Sequence, residues 1–163
     1  MNKTTFLEKF GSVFEHSPWV AERVFETGID PLSTDSVGLS ERFKTEFINA
    51  APDLQLETLR AHPKLACALA EPVELTDDSI KEQEAVGLDQ CSEVEFKEFG
   101  RLNAAYIEKF GYPFIVAVRG RDRRKILELF RMRLKNDAVL EYQTALLQVC
   151  QIARFRIGDI LNA

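Results

Sequence analysis

Apolar residues recur at helical spacing along almost the whole chain. Over residues 3–15, Phe6, Phe10, Val13 and Phe14 fall on one side of a first amphipathic helix. Ser17 and Pro18 restart the chain, the serine as a cap and the proline at the first helical position, where its missing N–H is no loss. Trp19, Val20, Val24 and Phe25 supply the apolar side of this second helix, and Gly28 ends it. Residues 28–38 gather Gly, Pro, Ser and Asp and read as a loop. Phe43, Phe47 and Ile48 mark a third helix that breaks before Pro52, and Leu54, Leu56 and Leu59 mark a fourth over about 53–60. A short helix is expected to begin at Pro63 and stop before Pro72.

Thr76 is a candidate N-cap for the next helix, with Asp77 and Asp78 in its first turn, where the helix dipole favours acids. Ser79, Glu82 and Gln83 then share one face at i, i+3 and i+4, and Gly87 interrupts the pattern. Ser92 followed by Glu95 is a capping-box sequence. The helix it opens carries Phe96, Phe99, Leu102, Asn103, Tyr106 and Phe110 near one side, with Gly111 as its C-terminal stop. Asn103, set among those apolar residues, is expected to have a buried hydrogen-bonding duty.

The run Phe114, Ile115, Val116, Ala117, Val118 is the one strand-like stretch. With no second run to pair with, it reads as an extended or irregular buried segment rather than a sheet. Residues 119–125 form a solvated basic turn into a helix carrying Ile126, Leu127, Phe130, Met132 and Leu134. A last long helix starts at about Ala138. At about 100° per residue, Val149, Ile152, Ala153, Ile160 and Arg156 cluster on one side, while Arg154 points to the other. An arginine within an apolar stripe needs a partner, because a guanidinium cannot be deprotonated and is costly to bury alone. That partner is a buried carboxylate such as Glu82, or a ligand with acceptor oxygens; otherwise the stripe edges onto solvent and the side chain snorkels out. The expected fold is therefore all-α: a single-domain compact bundle of about eight helices over residues 1–163, without repeats or linkers.

Composition narrows the class of function. The chain has 163 residues, 45% hydrophobic and 29% charged, an ordinary balance for a soluble domain with a real core. A net charge of −5 gives a nucleic-acid role no support. No apolar run approaches a membrane span, and neither a signal peptide nor a peroxisomal address is evident, so a cytoplasmic location is expected. Cys67, Cys91 and Cys150 are odd in number and far apart, and are read as reduced.

The candidate chemistry centres on His62. A residue before proline is pushed out of the α region, so Pro63 stiffens the backbone that carries the imidazole. The plain alternative is a solvent-exposed helix-cap histidine. Metal hydrolysis is disfavoured, since His16 and His62 are distant and neither sits in a two-histidine helical motif. Phosphate-binding loop, dinucleotide fingerprint and nucleophile elbow are all missing from the sequence. What remains is a polar cluster of an imidazole, a carboxylate, a hydroxyl, an amide and a guanidinium. Such a set can move protons and bind a small polar ring.

These residues resemble a family. His62-Pro63-x-Leu65-Ala66, then Ser79-x-x-Glu82-Gln83 with Gly87-Leu88, then Leu102-Asn103-x-x-Tyr106-x-x-Lys109-Phe110-Gly111-x-Pro113-Phe114, are similar to motifs of the OHCU decarboxylases. The closing Ile152-Ala153-x-x-Arg156-Ile157 resembles that family's last helix, so the likeness spans nearly the whole chain. Those enzymes act on 2-oxo-4-hydroxy-4-carboxy-5-ureidoimidazoline, the last intermediate between urate and allantoin.

The resemblance implies a carboxy-lyase of purine catabolism that forms (S)-allantoin, a homodimer working without metal or organic cofactor. It implies His62 and Glu82 as the catalytic pair, with His62 transferring the proton and Glu82 accepting substrate N–H groups and orienting His62. Ser79, Gln83 and Arg156 would bind substrate, Pro63 would form a wall, and backbone groups of Phe114, Ile115, Val116 and Ala117 would hydrogen-bond the ring. Two other functions fit the residues alone: a helical interaction module without catalysis, which predicts no cleft around His62, and a lyase acting on a related ureido compound.

Overall fold

The structure is a computed structural model that describes residues 1–31, 33–65 and 76–163. Among these residues there are eight α-helices and no strand: α1 (Lys3–Phe10), α2 (Trp19–Glu26), α3 (Ser36–Ile48), α4 (Pro52–Ala61), α5 (Asp77–Ala85), α6 (Glu93–Phe110), α7 (Arg123–Leu134) and α8 (Ala138–Asn162). A short 3-10 turn, Leu88–Gln90, joins α5 to α6. The all-α expectation holds. No described helix is long and apolar enough to cross a membrane.

The chain falls into two compact units. One comprises Met1–Ala61 with Leu146–Ala163, the other His62–Ala145. The 25-residue helix α8 contributes its first turns to the second unit and the rest to the first.

The first unit is built on phenylalanine. Phe6, Phe10, Phe14, Phe43 and Phe47 are each almost fully buried, with ring centroids 4.9 Å apart for Phe14 and Phe47 and 5.0 Å for Phe6 and Phe10. Such tilted pairs add to the area term that dominates burial of large rings. The first helix is shorter than its apolar pattern suggests. It stops at Phe10, and a Cβ on Gly11 would lie 2.5 Å from the Leu7 carbonyl oxygen, so this tight exit requires glycine. Val13 and Phe14 still reach the core, from irregular backbone rather than from a helix. Ser17 does not cap α2 either. Pro18 holds the cap position without a side-chain bond, while the Ser17 hydroxyl donates to the Glu15 carbonyl and accepts from the Thr58 hydroxyl at 2.9 Å.

In the second unit, Phe99, Tyr106, Tyr112, Phe114 and Phe130 form another aromatic core, with Phe114 stacked on Phe130 at 3.9 Å. The capping box at Ser92 forms as expected: the Ser92 hydroxyl accepts from the Glu95 N–H, and the Glu95 carboxylate accepts from the Ser92 N–H, both at 3.1 Å. Gly111 closes α6 in the left-handed region at φ 80°. The hydrogen bond from the Ser92 N–H holds the Glu95 carboxyl below its ordinary value, with Arg123 adding to the effect. Because this pKa is depressed on folding, the carboxylate's contribution is present at neutral pH and is lost as pH falls through and below the ordinary value of 4.5. Ser92→Ala should cost about 1 kcal/mol of stability in urea denaturation near neutral pH. The deficit of Glu95→Gln relative to wild type should shrink in acid; a pH-independent deficit would contradict this account.

Candidate active site

The segment that carries His62 is held by hydrogen bonding rather than by a helix. Residues 63–65 are not helical, contrary to the expectation of a helix starting at Pro63, and the remainder of that expected helix lies outside the described residues. Pro63 and Leu65 are buried while Lys64 between them is exposed, the alternation of an extended chain. The Leu65 carbonyl accepts a hydrogen bond from the Asn103 side-chain amide at 2.8 Å, which ties it to α6. This is the buried duty expected of Asn103, and it anchors the stretch three residues beyond His62. His62 itself is half-buried, at a bend following α4, with its Nδ1 atom enclosed by protein.

Helix α5 presents the polar face read from its sequence. Thr76 caps it by accepting from the Ser79 N–H at 3.2 Å, and Asp77 and Asp78 occupy the first turn. Ser79 and Gln83 are buried and Glu82 is half-buried. At about 100° per residue the three lie within one sector of the helix. Two buried polar side chains with a half-buried carboxylate between them are unusual for a helix whose remaining residues are mostly solvated. His62, Pro63, Ser79, Glu82 and Gln83 all belong to the second unit.

Phe114, Ile115, Val116 and Ala117 also belong to this unit and are all buried, in backbone that is neither helix nor strand. The irregular buried segment expected here is what the structure shows. Its carbonyls are used from within the protein: Ile115 accepts from Arg133 Nη1 at 2.5 Å, and Ala117 accepts from Arg121. Arg133 is in turn fixed by Glu141, whose side chain has no solvent exposure; Nε and Nη2 reach Glu141 Oε1 at 2.8 and 2.6 Å. The Tyr106 hydroxyl donates to the same oxygen at 2.5 Å, and the Asn136 amide donates to Oε2 at 3.0 Å. Burial, then the bond to Glu141, pushes the Tyr106 pKa far above its ordinary value, so the phenol remains a donor throughout the working range.

Arg156 lies in the first unit and is 5% exposed, in agreement with its place in the apolar stripe, whereas Arg154 is exposed. The buried carboxylate that meets it is Glu15, at 2.7 Å from Nη1, and the Ser12 carbonyl accepts from the same nitrogen at 3.3 Å. Next to Glu15, His16 adopts φ 49°, an uncommon conformation for a residue with a side chain.

Sequence reading had missed Glu15, Arg133 and Glu141. For Arg133 and Glu141 the signal existed: Ile126, Phe130 and Arg133 fall at i, i+4 and i+7, and Glu141, Ala145 and Val149 continue the α8 stripe. Glu15 stands in irregular backbone, where periodicity says nothing. The basic turn is mostly solvated as expected, though Arg123 bonds Glu95 and the carbonyls of Gly87 and Gln90. Cys150 is a buried free thiol whose pKa burial pushes up to about 12. Cys91 is disulfide-bonded, which corrects the reduced reading; sequence spacing cannot report thiols that the fold brings together. Cys67 lies outside the described residues. Among the described residues no three of His, Cys, Asp and Glu gather as metal ligands would.

Comparison with known proteins places this architecture. The chain is 36% identical, over 99% of its length, to the uric acid degradation bifunctional protein PucL of Bacillus subtilis, of which it spans 31%. It is 36% identical to the 2-oxo-4-hydroxy-4-carboxy-5-ureidoimidazoline decarboxylase of Halalkalicoccus jeotgali, covering 98% of this chain and 86% of that one. Among solved structures, an (S)-allantoin synthase superposes with a TM-score of 0.77 at 27% identity, over 98% of this chain and 51% of that one. An OHCU decarboxylase crystallised in the presence of (S)-allantoin shares the fold, with a TM-score of 0.73 at 19% identity over the full length of both chains. The chain thus spans about a third of PucL and about half of the allantoin synthase chain. The sequence model of the OHCU decarboxylase family matches residues 1–158, and the chain belongs to that family.

Proposed function

We propose that this protein decarboxylates 2-oxo-4-hydroxy-4-carboxy-5-ureidoimidazoline to (S)-allantoin, without metal or organic cofactor, as a cytoplasmic homodimer. The observation that carries the reading is the family match over residues 1–158, supported by the buried polar face of α5 and the anchored His62 segment within one unit.

Breaking the bond to the carboxylate carbon releases CO₂ and leaves an electron pair on the ring carbon. The conjugated C=N of the imidazoline accepts that pair, so the substrate carries its own electron sink and needs neither pyridoxal nor thiamine. The protein must then orient the leaving carboxylate, stabilise the enolic intermediate, and protonate one face of the ring. His62 transfers the proton and Glu82 accepts substrate N–H groups and orients His62. Ser79 and Gln83 add positioning hydrogen bonds, Pro63 is an apolar wall, and backbone groups within Phe114–Ala117 bond the ring. Arg156 offers planar donors to substrate oxygens.

The test generates the labile substrate in situ from urate and follows (S)-allantoin by circular dichroism with and without the protein. Faster formation of the (S)-allantoin signal over racemic decay supports the proposal, and a trace that the protein does not alter, or that shows the opposite enantiomer, sinks it. Turnover should also survive exhaustive chelation and dialysis. Loss restored by a metal ion would overturn the cofactor-free part of the reading alone.

A further inference from the structure

The run Phe114–Ala117 has no helix or sheet to set its peptide planes, yet ring recognition by its backbone requires that a chosen N–H face the ligand. Arg133 sets one of those planes. Its Nη1 holds the Ile115 carbonyl at 2.5 Å, and its guanidinium lies over the Phe114 ring at 4.4 Å. The peptide bond that follows Ile115 is trans, and in a planar trans peptide the carbonyl and the next residue's N–H point in opposite directions. A carbonyl tied to Arg133 therefore turns the Val116 N–H away from the guanidinium. Arg121, holding the Ala117 carbonyl, fixes the peptide two residues further on in the same way.

Arg133 is itself immobile. Three of its nitrogens are engaged, two by Glu141 and one by Ile115. Glu141 has no solvent exposure and is gripped by Tyr106 and Asn136 as well. A buried ion pair of this kind is weak evidence for stability, since well-packed apolar residues would serve as well. What apolar residues could not do is pin a carbonyl. We propose that Arg133, locked by Glu141, is a positioning residue that aims the Val116 N–H at the substrate ring. This rests on the function proposed above.

Three measurements on the full-length chain test it. Wild type must first form (S)-allantoin from substrate generated in situ; failure there refutes the function itself, before Arg133 is in question. With activity established, the ¹⁵N-amide resonance of Val116 should move on titration with (S)-allantoin, and a Val116 amide that stays put overturns the assignment of that donor. Arg133→Lys should then lower kcat/KM by about ten- to a hundredfold, the effect of a displacement of about 1 Å at a positioning group. It should also diminish the Val116 shift, with helical circular dichroism retained. A purely structural Arg133 would lower the melting temperature and leave kcat/KM per folded molecule unchanged, and that result overturns the proposal. Should Arg133→Lys fail to fold, Tyr106→Phe decides. It deletes one bond to Glu141 and keeps Arg133, and its kcat/KM should fall several-fold; an unchanged value is decisive against the chain of contacts.

Discussion

His62→Asn and Glu82→Gln should each lower turnover by about 10²–10⁴ while far-UV circular dichroism stays that of wild type, the usual cost of removing a proton-transfer group. His62 stands where an extended, buried-exposed-buried segment is tied to α6 through Asn103 and Leu65, so the imidazole is carried on fixed backbone. Glu82 shares its sector of α5 with buried Ser79 and Gln83, which hold that face in place. An imidazole is the side chain best suited to exchange protons near neutral pH, and a carboxylate in reach fixes its tautomer. If the two act as one unit, the double variant is scarcely slower than the slower single variant. Multiplicative losses would keep both residues in the site but deny their cooperation. Near-wild-type turnover in His62→Asn would end the mechanism.

The largest effect on stability is expected at Glu15. Its side chain is fully buried against Arg156, which is itself almost fully enclosed. Glu15→Ala leaves a guanidinium that cannot shed its charge without its carboxylate, and should cost about 3–5 kcal/mol. The midpoint of urea denaturation should fall accordingly at an unchanged slope. Glu15→Gln, which keeps an acceptor oxygen, should cost less. A loss below about 1 kcal/mol for the alanine variant would mean that water reaches the pair. Arg156→Lys separates the observed ion pair with Glu15 from the substrate contact proposed for Arg156. A point charge can still pair with Glu15 but cannot present a planar fork to substrate oxygens, so turnover should weaken more than stability. Unaltered kinetics would leave Arg156 with a structural role.

How much of this was legible from the sequence varied with the range of the interaction. Helix positions followed from apolar spacing, and caps from local chemistry: Thr76, Ser92 and Gly111 all terminate helices as read. Arg156 stood out because a charge in an apolar stripe breaks the pattern, but its partner did not, since a contact across 141 residues leaves no trace in local periodicity. Asn103 was legible as a buried hydrogen-bonding residue, while its acceptor, the Leu65 carbonyl, was not. Ser17 and Pro63 misled for the same reason. Each suits a helix start by propensity, and each is claimed instead by a tertiary contact or by extended packing, which outweighs a local preference of about 1 kcal/mol. The roles proposed for His62 and Glu82 rest on the family likeness together with their placement; periodicity alone would leave them as surface polar residues.

The division of the chain also bears on its synthesis. The unit from His62 to Ala145 is one uninterrupted stretch, so every residue it needs has been added to the chain before Leu146 is translated. The other unit is split between the two ends of the chain. Glu15 is made 141 residues ahead of Arg156 and must remain hydrated until its partner follows, an interval on the order of ten seconds at ordinary elongation rates. The pair that buries Glu15 is thus completed only once Arg156 has been made.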